Sequence, residues 1–233
     1  MAIELALLHG FAASPFTWRR VQEPLGVRHR VVALERPWAG FDEQVAATVQ
    51  ALDHAQFEAP VLVGHSAGAE VALGVALAQP DRVRALVLIA PVVGQGPPPF
   101  ARALARAPGW GLVGPSLLRG GTRFIGPVLR RLWYDPSQVD AAVVDGYRRP
   151  LLEPGVAEAL WAMTANDRSR SLLLSRLGEV THPALVIIGD HDPWARALPL
   201  TKTQTVMVER CGHLPHEERP ERTVAEIEAF LTT

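Results

Sequence analysis

Six short apolar runs punctuate the chain, at residues 3–8, 30–34, 61–63, 85–89, 184–188 and 205–208, each rich in Val, Leu and Ile. Continuous runs of this length are how strands buried on both faces read, so they predict a sheet with cover on both sides. Between most of them the spacing turns helical: Thr17 to Gln22, Gln44 to Phe57, Ala67 to Gln79 and Pro220 to Leu231, where Val224, Ile227 and Leu231 share a face. Strand-helix alternation predicts an α/β fold, a mostly parallel sheet with right-handed crossovers. Ligands are then expected beyond the carboxyl ends of the strands.

From Gly94 to about Val180 the rhythm changes to helical pieces broken by Pro and Gly, with no strong strand, and Gln95-Gly96-Pro97-Pro98-Pro99 opens this stretch like a linker. The expected organisation is therefore a core in two parts, residues 1–94 and 181–233, with 95–180 inserted between them.

The run Val61-Leu62-Val63 empties into Gly64-His65-Ser66-Ala67-Gly68, and a small-residue helix follows until Gln79-Pro80 stops it. Gly-x-Ser-x-Gly between strand and helix is a pattern with a mechanism: the serine needs neighbours without bulk, so that strand and helix approach closely and its hydroxyl stands clear. The plainer reading is a helix N-cap, a position that serine favours. A serine hydroxyl is a poor nucleophile alone; it needs an imidazole to take its proton and a carboxylate to orient that imidazole. Downstream, Val186-Ile187-Ile188 leads into Gly189-Asp190-His191-Asp192-Pro193, and Thr205-Val206-Met207-Val208 leads towards Cys211-Gly212-His213-Leu214-Pro215-His216-Glu217. Two strand ends thus bring an acid and a base, in the order serine, acid, histidine.

These three segments make the chain resemble the α/β-hydrolase fold family over nearly all of its length. The resemblance implies Ser66 as nucleophile, Asp192, in its turn before Pro193, as acid, and His213, in a Gly-His-x-Pro loop, as base. Asp190 competes for the acid role, its plainer part being to cap the turn; His65, His191 and His216 read as neighbours. Near the start, Leu5-Ala6-Leu7-Leu8 runs into His9-Gly10-Phe11, which resembles the family's oxyanion loop and implies the amides of Phe11 and Ala67 as donors to a developing oxyanion. Ser14-Pro15 also suits an ordinary helix start, serine as N-cap and proline first. The family inserts a helical cap where residues 95–180 lie, which makes Trp133 and Trp161 candidates to line a substrate pocket, with Trp38 from the core. Two departures accompany the likeness. The chain begins almost at the oxyanion strand, and Glu35-Arg36-Pro37-Trp38-Ala39-Gly40-Phe41 stands where the family usually carries an Asp-x-Pro-Gly-His-Gly turn.

Composition narrows the classes. With 233 residues, 48% hydrophobic, 20% charged and a net charge of −1, the chain can bury one substantial core and offers no electrostatic footprint for nucleic acid or an anionic membrane. The single cysteine, Cys211, excludes an internal disulfide and reads as a small buried residue. The first segment carries Glu4 and lacks a basic leader, and no apolar stretch reaches a membrane span, so a cytoplasmic protein is expected. His213, His216 and Glu217 lack the helical His-Glu-x-x-His spacing and Pro215 interrupts them, so no catalytic metal is expected, nor any other cofactor. The oligomeric state stays open. The reading is a serine hydrolase cleaving a small carboxylic ester through an acyl-enzyme. Two alternatives stand beside it: a carbon–carbon hydrolase of a diketo or dienoic acid, which would need cations such as Arg119, Arg123 or Arg130 for the substrate carboxylate, and a triad-bearing ligand sensor with little turnover.

Overall fold

The computed structural model describes residues 2–165 and 170–232. Six strands, β1 (Glu4–Leu8), β2 (Arg30–Leu34), β3 (Val61–His65), β4 (Ala85–Ile89), β5 (Ala184–Gly189) and β6 (Thr203–Val208), form one sheet in the order β2-β1-β3-β4-β5-β6. Every neighbouring pair runs parallel. The burial pattern follows position: β3, β4 and β5 are buried at every residue, whereas the edge strands β2 and β6 are buried only at their last residue, Leu34 and Val208. That is why the inner runs read as unbroken apolar sequence. Each fully buried Val or Leu here stabilises the fold by about 1.5–3 kcal/mol relative to exposure.

Core helices α1 (Gln22–Gly26), α2 (Phe41–His54) and α3 (Ala67–Ala78) link the first strands. Of these α3 is central, with nine of its twelve residues buried. Its neighbour α2 packs so closely that a Cβ on Gly74 would lie 2.6 Å from Val45 and 2.7 Å from the Phe41 ring. The helix expected over Thr17 to Gln22 is displaced. Ser14 accepts from the Phe16 amide, Pro15 takes the first position, and a single 3-10 turn runs only from Pro15 to Trp18 before α1 begins at Gln22.

Between β4 and β5 the chain leaves the sheet for helices α4 (Pro99–Arg106), α5 (Trp110–Gly121), α6 (Ile125–Leu132), α7 (Ala141–Arg148), α8 (Val156–Ala165) and α9 (Arg170–Arg176). This helical region has its own small cluster: Leu129, Trp133, Val143 and Tyr147 pack with Ala13 and Leu214 of the core. After β6 come a short α10 (Pro215–Glu218) and α11 (Pro220–Leu231), whose Ile227 is fully buried. Among the described residues no helix is long and apolar enough to cross a membrane.

Candidate active site

Ser66 follows β3 directly and precedes α3, at φ 52° and ψ −118°. This left-handed region is costly for a residue with a Cβ, about 1–3 kcal/mol, and the surroundings enforce it. A Cβ on Gly64 would lie 2.5 Å from the Gly68 carbonyl oxygen, and one on Gly68 would collide with the carbonyl oxygens of Leu8 and His9. The two glycines therefore let strand, turn and helix close on β1. The Ser66 side chain makes no cap hydrogen bond to α3, so the helix-cap reading of this residue does not hold.

The hydroxyl instead lies 3.1 Å from Nε2 of His213, whose Nδ1 lies 2.8 Å from Oδ2 of Asp192. Asp192 accepts there, so Nδ1 carries the proton and Nε2 is free to accept from Ser66. The three residues stand beyond the carboxyl ends of β3, β5 and β6. Asp192 is held from both sides, its Oδ1 accepting the amides of Trp194 at 2.8 Å and Ala195 at 3.0 Å. Burial opposes its ionisation, but the His213 and backbone hydrogen bonds outweigh it and hold the carboxyl below the usual aspartate range.

Asp190 does not face the imidazole. It accepts the Cys211 amide at 3.0 Å and pairs with His191 at 2.8 Å, tying the turn after β5 to the loop that carries His213; burial is the largest single influence and opposes ionisation, but these bonds together outweigh it and bring the carboxyl to about 2. His65 donates from Nε2 to the His213 carbonyl at 3.0 Å, and His216 meets Thr17 Oγ1 at 2.8 Å. Burial lowers both rings, His65 to about 3 and His216 well below the ordinary histidine value, so they are neutral supports of the loop. Cys211 is buried and its thiol is pushed up, first by burial and then by Glu218, which leaves it inert.

Several supports carry charge and were not anticipated from the sequence, where charged residues read as surface. Arg36 is buried and donates to the carbonyl of His9 and, at 2.7 Å, to Gln44, fixing the backbone just before Phe11. Glu217 is buried against Arg19 at 2.6 Å and the Tyr147 hydroxyl at 2.7 Å. Glu218 accepts the Gly212 amide at 2.9 Å and the Tyr134 amide at 2.7 Å, while the His213 amide donates to Leu132 at 2.8 Å. The histidine loop is thus bolted to the end of α6. The sequence signal available was the pair Glu217-Glu218 within three residues of Pro215, in the first turn of a helix, where carboxylates gather.

Ser66 and His213 open on a chamber of about 290 Å³ lined by Gly10, Phe11, Ile125, Val128, Leu129, Leu132, Tyr147, Trp194 and Leu214 among others. Phe11 thus borders the chamber, and Ala67 is the first residue of α3, whose amide belongs to the unpaired donors of a helix start. The expected pocket tryptophans are elsewhere. Trp133 is buried edge-on to Tyr147, 6.3 Å between ring centres, behind the chamber wall. Trp161 stacks on Trp110 at 6.4 Å over Gly114, packing α8 against α5. Trp38 reaches only a small cavity of about 10 Å³ behind the Gly10-Phe11 backbone, beside Met163 and Ala67. The tryptophan that does line the chamber is Trp194, edge-on to His213 at 5.1 Å. It lies in an irregular loop without periodicity to point to it. The candidate cations also turn away: Arg119 pairs with Glu158, Arg123 lies over the Phe124 ring at 4.8 Å, and Arg130 donates to the Val139 carbonyl at 3.2 Å.

Residues 5–227 match the Alpha/beta hydrolase family. Among characterised relatives, the dihydrolipoyllysine-residue acetyltransferase component of an acetoin cleaving system from Pseudomonas putida is 29% identical over 97% of the chain, which spans 63% of that relative's length. A pimeloyl-(acyl-carrier protein) methyl ester esterase from Nitrosomonas europaea is also 29% identical, covering 97% of this chain and 95% of its own. Among solved structures, Cfl2 from Burkholderia cenocepacia superposes with a TM-score of 0.84 at 22% identity, over 98% of this chain and 88% of that one, a likeness of fold.

Proposed function

The chain belongs to the alpha/beta hydrolase family, and from that premise we propose that it is a serine hydrolase that cleaves small carboxylic esters. The carrying observation is the relay from Asp192 through His213 to Ser66, 2.8 and 3.1 Å, at the foot of an apolar chamber. In this reading His213 takes the Ser66 proton as the oxygen attacks the ester carbonyl. Negative charge then builds on the carbonyl oxygen and is met by the amides of Phe11 and Ala67, each such donor being worth roughly 3 kcal/mol in the transition state. His213 hands its proton to the departing alcohol, water enters, and the same imidazole activates it to release the acid. Residues 95–180 act as the cap that roofs the chamber. The esterase among the relatives supports an ester substrate.

Cleavage of a carbon–carbon bond in a diketo or dienoic acid is disfavoured by the outward engagement of Arg119, Arg123 and Arg130. The test compares turnover of a short-chain nitrophenyl ester with that of a vinylogous diketo-acid. The ester is expected to turn over and Ser66→Ala to lower its kcat by at least about 10³-fold. Preference for the diketo-acid would favour the carbon–carbon reading, and a slow single turnover without steady-state hydrolysis would favour a sensor.

A further inference from the structure

We infer that the chamber is an acyl-group site that accepts uncharged apolar acyl chains of limited length and rejects acyl groups ending in a carboxylate. The inference rests on the serine-hydrolase reading and adds the substrate class to it. Five of the surrounding side chains, Ile125, Val128, Leu129, Leu132 and Leu214, are aliphatic, and among the described residues no Lys, Arg, Asp or Glu contributes to the lining. No free donor remains among the hydroxyl and imidazole side chains of the wall: the neutral His65 ring spends its one proton at Nε2 and keeps only an unpartnered acceptor at Nδ1, which repels a carboxylate. The Tyr147 hydroxyl lies 2.7 Å from both Thr17 and Glu217, and His65 donates to the His213 carbonyl. A carboxylate placed here would lose its water and gain no cation, a large penalty in an apolar site.

The assignment to the acyl part follows from which group stays. The acyl chain remains bound through the covalent intermediate, whereas the alcohol departs from beside His213, the residue that returns its proton. His213 is flanked by Trp194, which is 45% exposed and with the exposed Phe11 and Val128 makes up the part of the lining that meets solvent. Leu129 and Tyr147 of the same lining are both buried and form its closed wall, the end to which the acyl chain is assigned. At roughly 30 Å³ for each water-sized group, the 290 Å³ available takes about ten such groups, which an acyl chain of about six to eight carbons together with the two ester oxygens nearly fills. Each methylene added up to that limit is expected to raise kcat/KM about fourfold by burial.

The experiment is a series of p-nitrophenyl esters from acetate to dodecanoate, with the mono-p-nitrophenyl esters of dicarboxylic acids of matching length, on wild type, Leu129→Ala and Val128→Arg. Labelling of Ser66 by a fluorophosphonate is measured in parallel on all three. The expected profile rises to between hexanoate and octanoate and falls at least tenfold by dodecanoate, and each carboxylated ester lags its uncharged match at least a hundredfold. Leu129→Ala deepens the closed end and moves the optimum about two carbons longer. Val128→Arg changes a half-exposed wall residue, so the fold tolerates it, and narrows the carboxylate deficit at least tenfold. Labelled Ser66 with a rate still climbing at dodecanoate, or with carboxylated esters equal to their matches, overturns the inference while leaving the serine-hydrolase reading intact. Absence of labelling at Ser66 overturns that reading itself.

Discussion

Glu218 holds the Tyr134 amide at 2.7 Å with one carboxylate oxygen while the other takes the Gly212 amide at 2.9 Å, the residue beside His213. One buried side chain thus joins the helical insertion to the loop that carries the imidazole, and burial raises its carboxyl above the usual glutamate range even though backbone amides favour the charged form. Replacing it by Ala leaves two inward amides without an acceptor, at a cost of about 1–3 kcal/mol each if water cannot reach them. Glu218→Ala is expected to lower the midpoint of urea unfolding and to lower kcat more than KM changes. An unaltered midpoint would show that the junction contributes nothing.

Asp192 and Asp190 stand two residues apart and carry different burdens. Asp192→Asn presents an amide to His213 Nδ1, favours the wrong tautomer and should reduce kcat by about 10⁴-fold with little loss of stability. Asp190→Asn leaves the imidazole's partner in place and removes only charge from the clamp on the Cys211 amide, so its loss of kcat should stay within about tenfold. Steady-state ester hydrolysis by both variants decides the matter, and equal losses would contradict the division of roles.

Stability should fall on mild acidification. Burial lowers His65 to about 3 and His216 well below its ordinary value, and burial together with the Arg36 charge lowers His9 to about 3. The unfolded chain binds protons at these rings below about pH 6.5 while the folded one does not, so the stabilisation they represent is complete above that pH. It is lost as pH falls towards about 3, at about 1.4 kcal/mol per pH unit for each ring. Glu218 and Glu35, both raised first by burial, run in the opposite sense, two groups against three. Denaturant unfolding at pH 7.5, 6 and 5 should show the decline, and His216→Gln should make it shallower. A flat profile would refute the neutral, buried state of these rings.

Ser66 pays for its exposure in backbone strain at φ 52°. Glycine adopts that conformation without penalty, so Ser66→Gly should be inactive yet more stable by about 1 kcal/mol. Ser66→Ala keeps its Cβ and should lose activity without that gain. Matching thermal midpoints for the two variants would show that the turn is unstrained.

The sheet was legible because its inner strands are buried on both faces and therefore print as pure apolar runs; β3, β4 and β5 begin and end within two residues of those runs. Ser66 and its two glycines were legible for a steric reason, since only glycine fits where β1 carbonyls approach Gly68. The pocket was not. Trp133 and Trp161 are large and apolar, but which way they point is decided by how α5, α6 and α8 pack, a tertiary fact with no local signature, and both turned inward to their own clusters. Trp194, Arg36 and Glu218 lacked any periodic signal; Tyr147 had one, four residues after Val143 on a helix face, but the burial of its hydroxyl depends on Thr17 and Glu217, far along the chain.

Whether His213 activates Ser66 is read out by intact-mass analysis after brief exposure to a fluorophosphonate. One adduct per chain is expected, mapped to Ser66, absent in Ser66→Ala and at least about 10³-fold slower to form in His213→Ala. An adduct on another residue, or undiminished labelling of Ser66 without the imidazole, would contradict that activation.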